Sequence, residues 1–94
     1  MILIVTGDGT STGKTTLARS LSNSFSSVRI FDDMSLPEVQ DQRKEIEFCA
    51  ANFSLTIVII DAKVGQPQMV VLHNIISEWQ LTYPVSMVRT LPLR

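Results

Sequence analysis

The sequence predicts a small α/β domain, three layers α/β/α around a mainly parallel sheet, with its elements in the order β-α-β-α-β-α-β. Three observations predict it. Ile2-Leu3-Ile4-Val5 runs directly into a glycine-rich turn. Leu55-Thr56-Ile57-Val58-Ile59-Ile60 is mostly β-branched and apolar on both alternating sets. Segments with apolar residues at helical spacing lie between and beyond these runs. Strands apolar on both faces belong in the middle of a parallel sheet, with helices covering each side.

The first strand delivers the chain to Gly7-Asp8-Gly9-Thr10-Ser11-Thr12-Gly13-Lys14-Thr15-Thr16. From Thr15 to about Phe25, Leu17, Ala18, Leu21 and Phe25 fall on one side of a helix, and Arg19, Ser22 and Asn23 on the other. Residues Ser22 to Ser27 favour bonds to their own backbone, so this helix should fray there. Val28-Arg29-Ile30-Phe31 reads as a second strand ending in Asp32-Asp33. Ser35-Leu36-Pro37-Glu38 is a capping box with proline in the first turn. It opens a helix from Leu36 to Ala51 whose inner face is Val39, Ile46, Cys49, Ala50 and Phe53. The outer face, Asp41, Arg43, Lys44, Glu45 and Glu47, reads as solvated.

The third strand, Leu55 to Ile60, ends in Asp61, and a loop from Ala62 to Gln66 follows. Pro67 suits the first turn of a helix reaching about Trp79, with Val71, Leu72, Ile75, Ile76 and Trp79 as its inner stripe and Met69 and Val70 widening it. Tyr83 to Leu91 reads as the last strand, and Pro84 marks an edge or a strand start. Right-handed crossovers place helices on both faces of such a sheet. Its ligand edge lies at the carboxyl ends of the strands, where the loop, Asp32-Asp33 and Asp61 would meet.

With 94 residues the chain is expected to be one domain, without internal repeats or low-complexity linkers. At that length the lid of a larger nucleotide enzyme is not expected. Hydrophobic residues make up 45% and mean hydropathy is +0.22, which leaves apolar surface for a partner or a second copy. A homo-oligomer or a protein partner is therefore expected. Net charge is -1 with no basic block, so the electrostatic footprint of a nucleic-acid binder is missing. One cysteine excludes an internal disulfide framework and a four-cysteine zinc site. No apolar run approaches the ~20 residues of a membrane span, and Met1 to Val5 has neither the basic start nor the length of a signal peptide. A cytoplasmic protein is expected.

The glycine-rich turn is the chemically informative stretch. Glycines let the backbone curl so that successive N–H groups face an anion. Lys14 would reach the outer phosphates of a nucleotide, the Thr15 hydroxyl would ligate Mg2+, and the helix start would add its positive dipole end. The strict pattern G-x-x-x-x-G-K-[ST] is broken, because it needs glycine where the chain has Asp8. An acid beside a triphosphate is unfavourable unless it points away or helps hold the metal. The plainer alternative is a Gly/Ser/Thr loop ahead of an N-capped helix. Bulky apolar residues running into Asp61 form a second pattern, in which the acid holds Mg2+ through its water shell beside the loop hydroxyl.

Gly13-Lys14-Thr15-Thr16 and Ile57 to Asp61 together resemble the P-loop NTPase superfamily. The loop length is similar to that of dethiobiotin synthetases, G-T-D-T-x-x-G-K-T, which also carries an acid. GTSTGKTTLARSL followed by VRIFDDM resembles small kinases of the uridine and nicotinamide riboside type, where a strand ending in D-D-F follows G-K-T-T-L. That resemblance implies ATP or GTP with Mg2+ as ligand, Gly7 to Thr16 as its cradle and Thr15 and Asp61 at the metal. It also implies catalytic roles for Lys14 and for Asp32 or Asp33, the acid near the substrate hydroxyl.

A nucleobase pocket and lid arginines are not evident; Arg89 and Arg94 are the late arginines. Ala62 stands after Asp61 where many motor ATPases carry a catalytic Glu. Three expectations follow: a slow NTPase or a small kinase completed by a partner or an oligomer, a non-catalytic interaction protein on a reduced fold of this kind, or a nucleotide-gated switch worked by the Ala62 to Gln66 loop. His73 reads as surface or core, Cys49 as a buried small hydrophobe, and Trp79 as packing or an interface anchor.

Overall fold

The structure is a computed structural model; it describes residues 1–7, 14–61 and 67–89, with the backbone alone for Lys14, Thr15, Asp33 and Gln68. Its elements are β1 (Ile2–Gly7), α1 (Lys14–Ser22), β2 (Val28–Met34), α2 (Leu36–Asp41), α3 (Arg43–Asn52), β3 (Leu55–Asp61), α4 (Gln68–Gln80) and β4 (Val85–Arg89). The four strands form one parallel sheet in the order β2-β3-β1-β4.

The two central strands are the two apolar runs. All six residues of β1 are buried, and β3 is buried from Leu55 to Ile60 and exposed at Asp61. Alternate side chains feed separate cores. Leu3, Val5, Leu55, Ile57 and Ile59 meet Ala18 and the half-buried Leu17 and Phe25 of the α1 segment. Ile2, Ile4, Val58 and Ile60 meet Val39, Ile46, Cys49, Leu72, Ile75, Ile76 and Trp79 from α2, α3 and α4. The topology explains this division. The chain moves two places along the sheet from β1 to β2, then one place back to β3 and two more, past β1, to β4. With right-handed crossovers, moves in opposite directions put their helices on opposite faces.

The first helix stops at Ser22, earlier than Phe25, and Ser22 Oγ donates to the Arg19 carbonyl at 2.8 Å, the backbone competition expected of serine there. At the amino end of the sheet, Ser27 N–H donates to Ser54 Oγ and Ser54 N–H to Ser27 Oγ, both at 2.9 Å, clasping the starts of β2 and β3.

The capping box is present: Ser35 Oγ accepts from the Glu38 amide and Glu38 Oε1 from the Ser35 amide, each at 3.3 Å. The single helix expected from Leu36 to Ala51 is instead two, broken at Gln42 (φ -99°, ψ 15°). The break lies in Gln40-Asp41-Gln42, where no apolar side chain holds the axis, and its halves have different neighbours. The first half packs on α4 and the second on β3.

Part of the charged outer face is also not simply solvated. Arg43 pairs with Glu78 of α4, and its Nε lies 3.4 Å from Glu47 Oε2, an ion pair outside hydrogen-bond geometry. The Glu78 bond outweighs desolvation and holds the guanidinium pKa above its ordinary value. Asp41, Lys44 and Glu45 are exposed as expected. Val70 and Val71, 64% and 41% exposed, depart from the inner stripe of α4, whereas Trp79 and Cys49 are core residues. Pro84 precedes β4, an edge strand, and its carbonyl accepts from the Ile2 amide at 2.9 Å. Leu91, the expected end of that strand, lies outside the described residues.

Two stability outcomes follow. Ile57→Val, at a fully buried central position, should cost about 0.5–1.5 kcal/mol in chemical denaturation, against less than about 0.5 for Val70→Ala; equal losses would contradict the assignment of β3 to the core. A double-mutant cycle on Arg43 and Glu78 should give a coupling of about 0.5–1 kcal/mol that disappears in molar salt, since both side chains are partly exposed.

Candidate functional site

In a parallel sheet, all four strands deliver their last residues to one edge. At that edge β1 and β3 are hydrogen-bonded neighbours in register, with Ile4 opposite Val58, Val5 opposite Ile59, Thr6 opposite Ile60 and Gly7 opposite Asp61. Neighbouring strands lie about 4.8 Å apart, so the Asp61 backbone stands beside Gly7 where the glycine-rich turn begins. The alternation of the cores puts Gly7 and Asp61 on the face that carries α1.

From Gly7 the chain goes to α1 on that face, and from Asp61 to α4 on the opposite face. Adjacent strands whose connections diverge to opposite faces open a crevice between them, the place where ligands enter open α/β sheets. Lys14 is the first residue of α1, so the backbone of Lys14, Thr15 and Thr16 forms that helix's amino-terminal turn. The first turn of an α-helix carries backbone N–H groups with no partner inside the helix, and its dipole favours an anion. Asp8, Gly9, Thr10, Ser11, Thr12 and Gly13 lie outside the described residues, as does the proposed switch loop, Ala62 to Gln66.

Asp32 and Asp33 do not end their strand. β2 continues to the buried Met34, and between Phe31 opposite Val58 and Met34 opposite Ile60 the two acids share Ile59 as partner. Two residues against one is a β-bulge, a common device on edge strands. The pair therefore sits two positions short of Asp61 along the sheet and on the far side of β3 from the glycine-rich turn. Asp32 is exposed. In sequence, an acidic doublet after an apolar run looks the same whether it ends a strand or bulges from one.

Arg89, one of the two late arginines, has a defined place at the sheet edge. It closes β4 opposite Thr6, at the carboxyl edge on the other flank of β1. Only the strand order reveals it, because β4 is last in the chain yet adjacent to β1. Among the described residues no group of three His, Cys, Asp or Glu side chains is placed to hold a metal ion. His73 is exposed on the outer face of α4. No helix among the described residues is long and apolar enough to cross a membrane.

No family model, curated protein or solved structure matches this chain. The chemistry of the edge rests on its own residues.

Proposed function

We propose that this chain binds a nucleoside triphosphate, ATP or GTP, with Mg2+ in a P-loop-like cradle, and acts as a slow NTPase or small kinase completed by a protein partner or a second copy. A cytoplasmic site of action accords with a single, buried cysteine. The observation that carries the reading is the in-register pairing of Gly7 with Asp61 at the crevice between β1 and β3. Phosphate-binding chemistry needs backbone donors and a lysine on one side, and an acid for the metal at contact distance on the other. Gly7, the α1 amino terminus and Asp61 supply those positions from adjacent strands.

In this reading Gly7, Asp8, Gly9, Thr10, Ser11, Thr12, Gly13 and Thr16 wrap the phosphates, Lys14 neutralises their outer oxygens, and Thr15 and Asp61 hold the ion. The Mg2+ would neutralise charge on the transferring phosphoryl group. Asp32 and Asp33, set across β3, serve an acceptor substrate better than the metal.

A second reading, a non-catalytic interaction protein, is favoured by one feature. A shallow groove of about 70 Å³ between α2 and α4 is lined mainly by apolar residues, among them Leu36, Val39, Val71 and Ile75.

Calorimetric titration of ATP and GTP with Mg2+ separates the two. Wild type should bind one of them, Lys14→Ala should weaken it about tenfold to a hundredfold, and Asp61→Asn should remove most of the Mg2+ dependence. Absence of heat in wild type would leave the interaction reading in possession.

A further inference from the structure

We infer that β4 is a dimerisation strand, which pairs antiparallel with β4 of a second copy of this chain about a two-fold axis at Met87. The inference stands without nucleotide and uses no residue of the phosphate site.

The Ile2 amide donates to the Pro84 carbonyl at 2.9 Å, and β4 runs in register with β1 from Val85 opposite Ile2 to Arg89 opposite Thr6. Along a parallel ladder, successive residues of a strand turn their N–H and C=O groups to alternate flanks. Ser86 and Val88 therefore bond to β1, as the Pro84 carbonyl does. Val85, Met87 and Arg89 turn their backbone groups to the open flank, where no described strand pairs with them.

The two edges of the sheet are not equally protected. On β2 the bulge at Asp32-Asp33 breaks the line of ladder groups and sets acids in it. β4 has no register shift, no proline inside it and no charge before its last residue. Its side chains present apolar surface as well: Val85 and Val88 are half-buried, and Met87 is 41% exposed.

A second β4 fits this flank in one register. With the axis at Met87, that residue exchanges both of its bonds with the second copy's Met87, while Val85 and Arg89 exchange theirs with each other across the axis. All outward groups of the five-residue strand are then paired. Moving the axis to Ser86 leaves Arg89 without a strand partner, and moving it to Val88 leaves Val85 without one.

Charge selects the same direction. Antiparallel pairing holds the two Arg89 backbones roughly 14 Å apart, at about 3.4 Å per residue, which exceeds the ~8 Å screening length at physiological salt. Parallel pairing in register would set one Arg89 directly beside the other. Antiparallel pairing also uses up the open flank of both copies and leaves only the bulged β2 edges outside, so assembly closes at two.

Sedimentation of the full chain without nucleotide, over about 10–500 μM, tests the pairing. Wild type should form a dimer that dissociates in roughly the micromolar range, as fits a small interface of one strand a side. Met87→Pro removes an outward donor and no bond to β1, so it should stay folded by circular dichroism and associate at least about tenfold more weakly. Met87→Lys and Met87→Glu each put like charges across the axis; each should be monomeric alone, and the two should dimerise when mixed. That recovery decides the matter even where the proline variant fails to fold, because it requires the same position of both copies to meet. Wild type monomeric throughout would overturn the inference and leave nucleotide binding untouched. Dimers unchanged in all three variants would move the interface to another face, such as the groove between α2 and α4. Charge variants that stay monomeric when mixed would overturn the axis at Met87.

Discussion

Parallel pairing of β1 with β3 puts apolar side chains on both faces of the sheet's two central strands, and neither face can be left to water. Parallel neighbours also forbid a tight turn between them, so each connection must cross over with a helix. In a chain this short the economical solution sends α1 to one face and α2, α3 and α4 to the other. The crevice between the ends of β1 and β3 is a by-product of that arrangement. Burial of Ile57 and Val5 and the placement of Asp61 beside Gly7 are thus consequences of one register.

Much of this was legible because hydrophobic patterning is a statement about burial. The runs Ile2 to Val5 and Leu55 to Ile60 predict central strands, and central strands they are. Ser35 and Glu38 specify a helix start through atoms three residues apart, so their capping box needed no knowledge of the rest of the fold. The break at Gln42 was illegible for the opposite reason. Val39 and Ile46 are seven residues apart and would share a face of one straight helix; the bend comes from which neighbours each half meets. Arg43 likewise looked solvated until α4 brought Glu78 to it across the tertiary fold. Strand order is the least local property of all, and it alone places Arg89.

The two sheet edges carry charge differently. β2 bears Arg29 and the Asp32-Asp33 bulge, which spoil it as a template for another strand. β4 bears Ser86, the 41% exposed Met87 and, at its end, Arg89. An edge strand without a bulge keeps its last side chain in strict register with its neighbour. Arg89 therefore has a defined station beside Thr6, whereas the acids of β2 are displaced from the line of Asp61 by one extra residue.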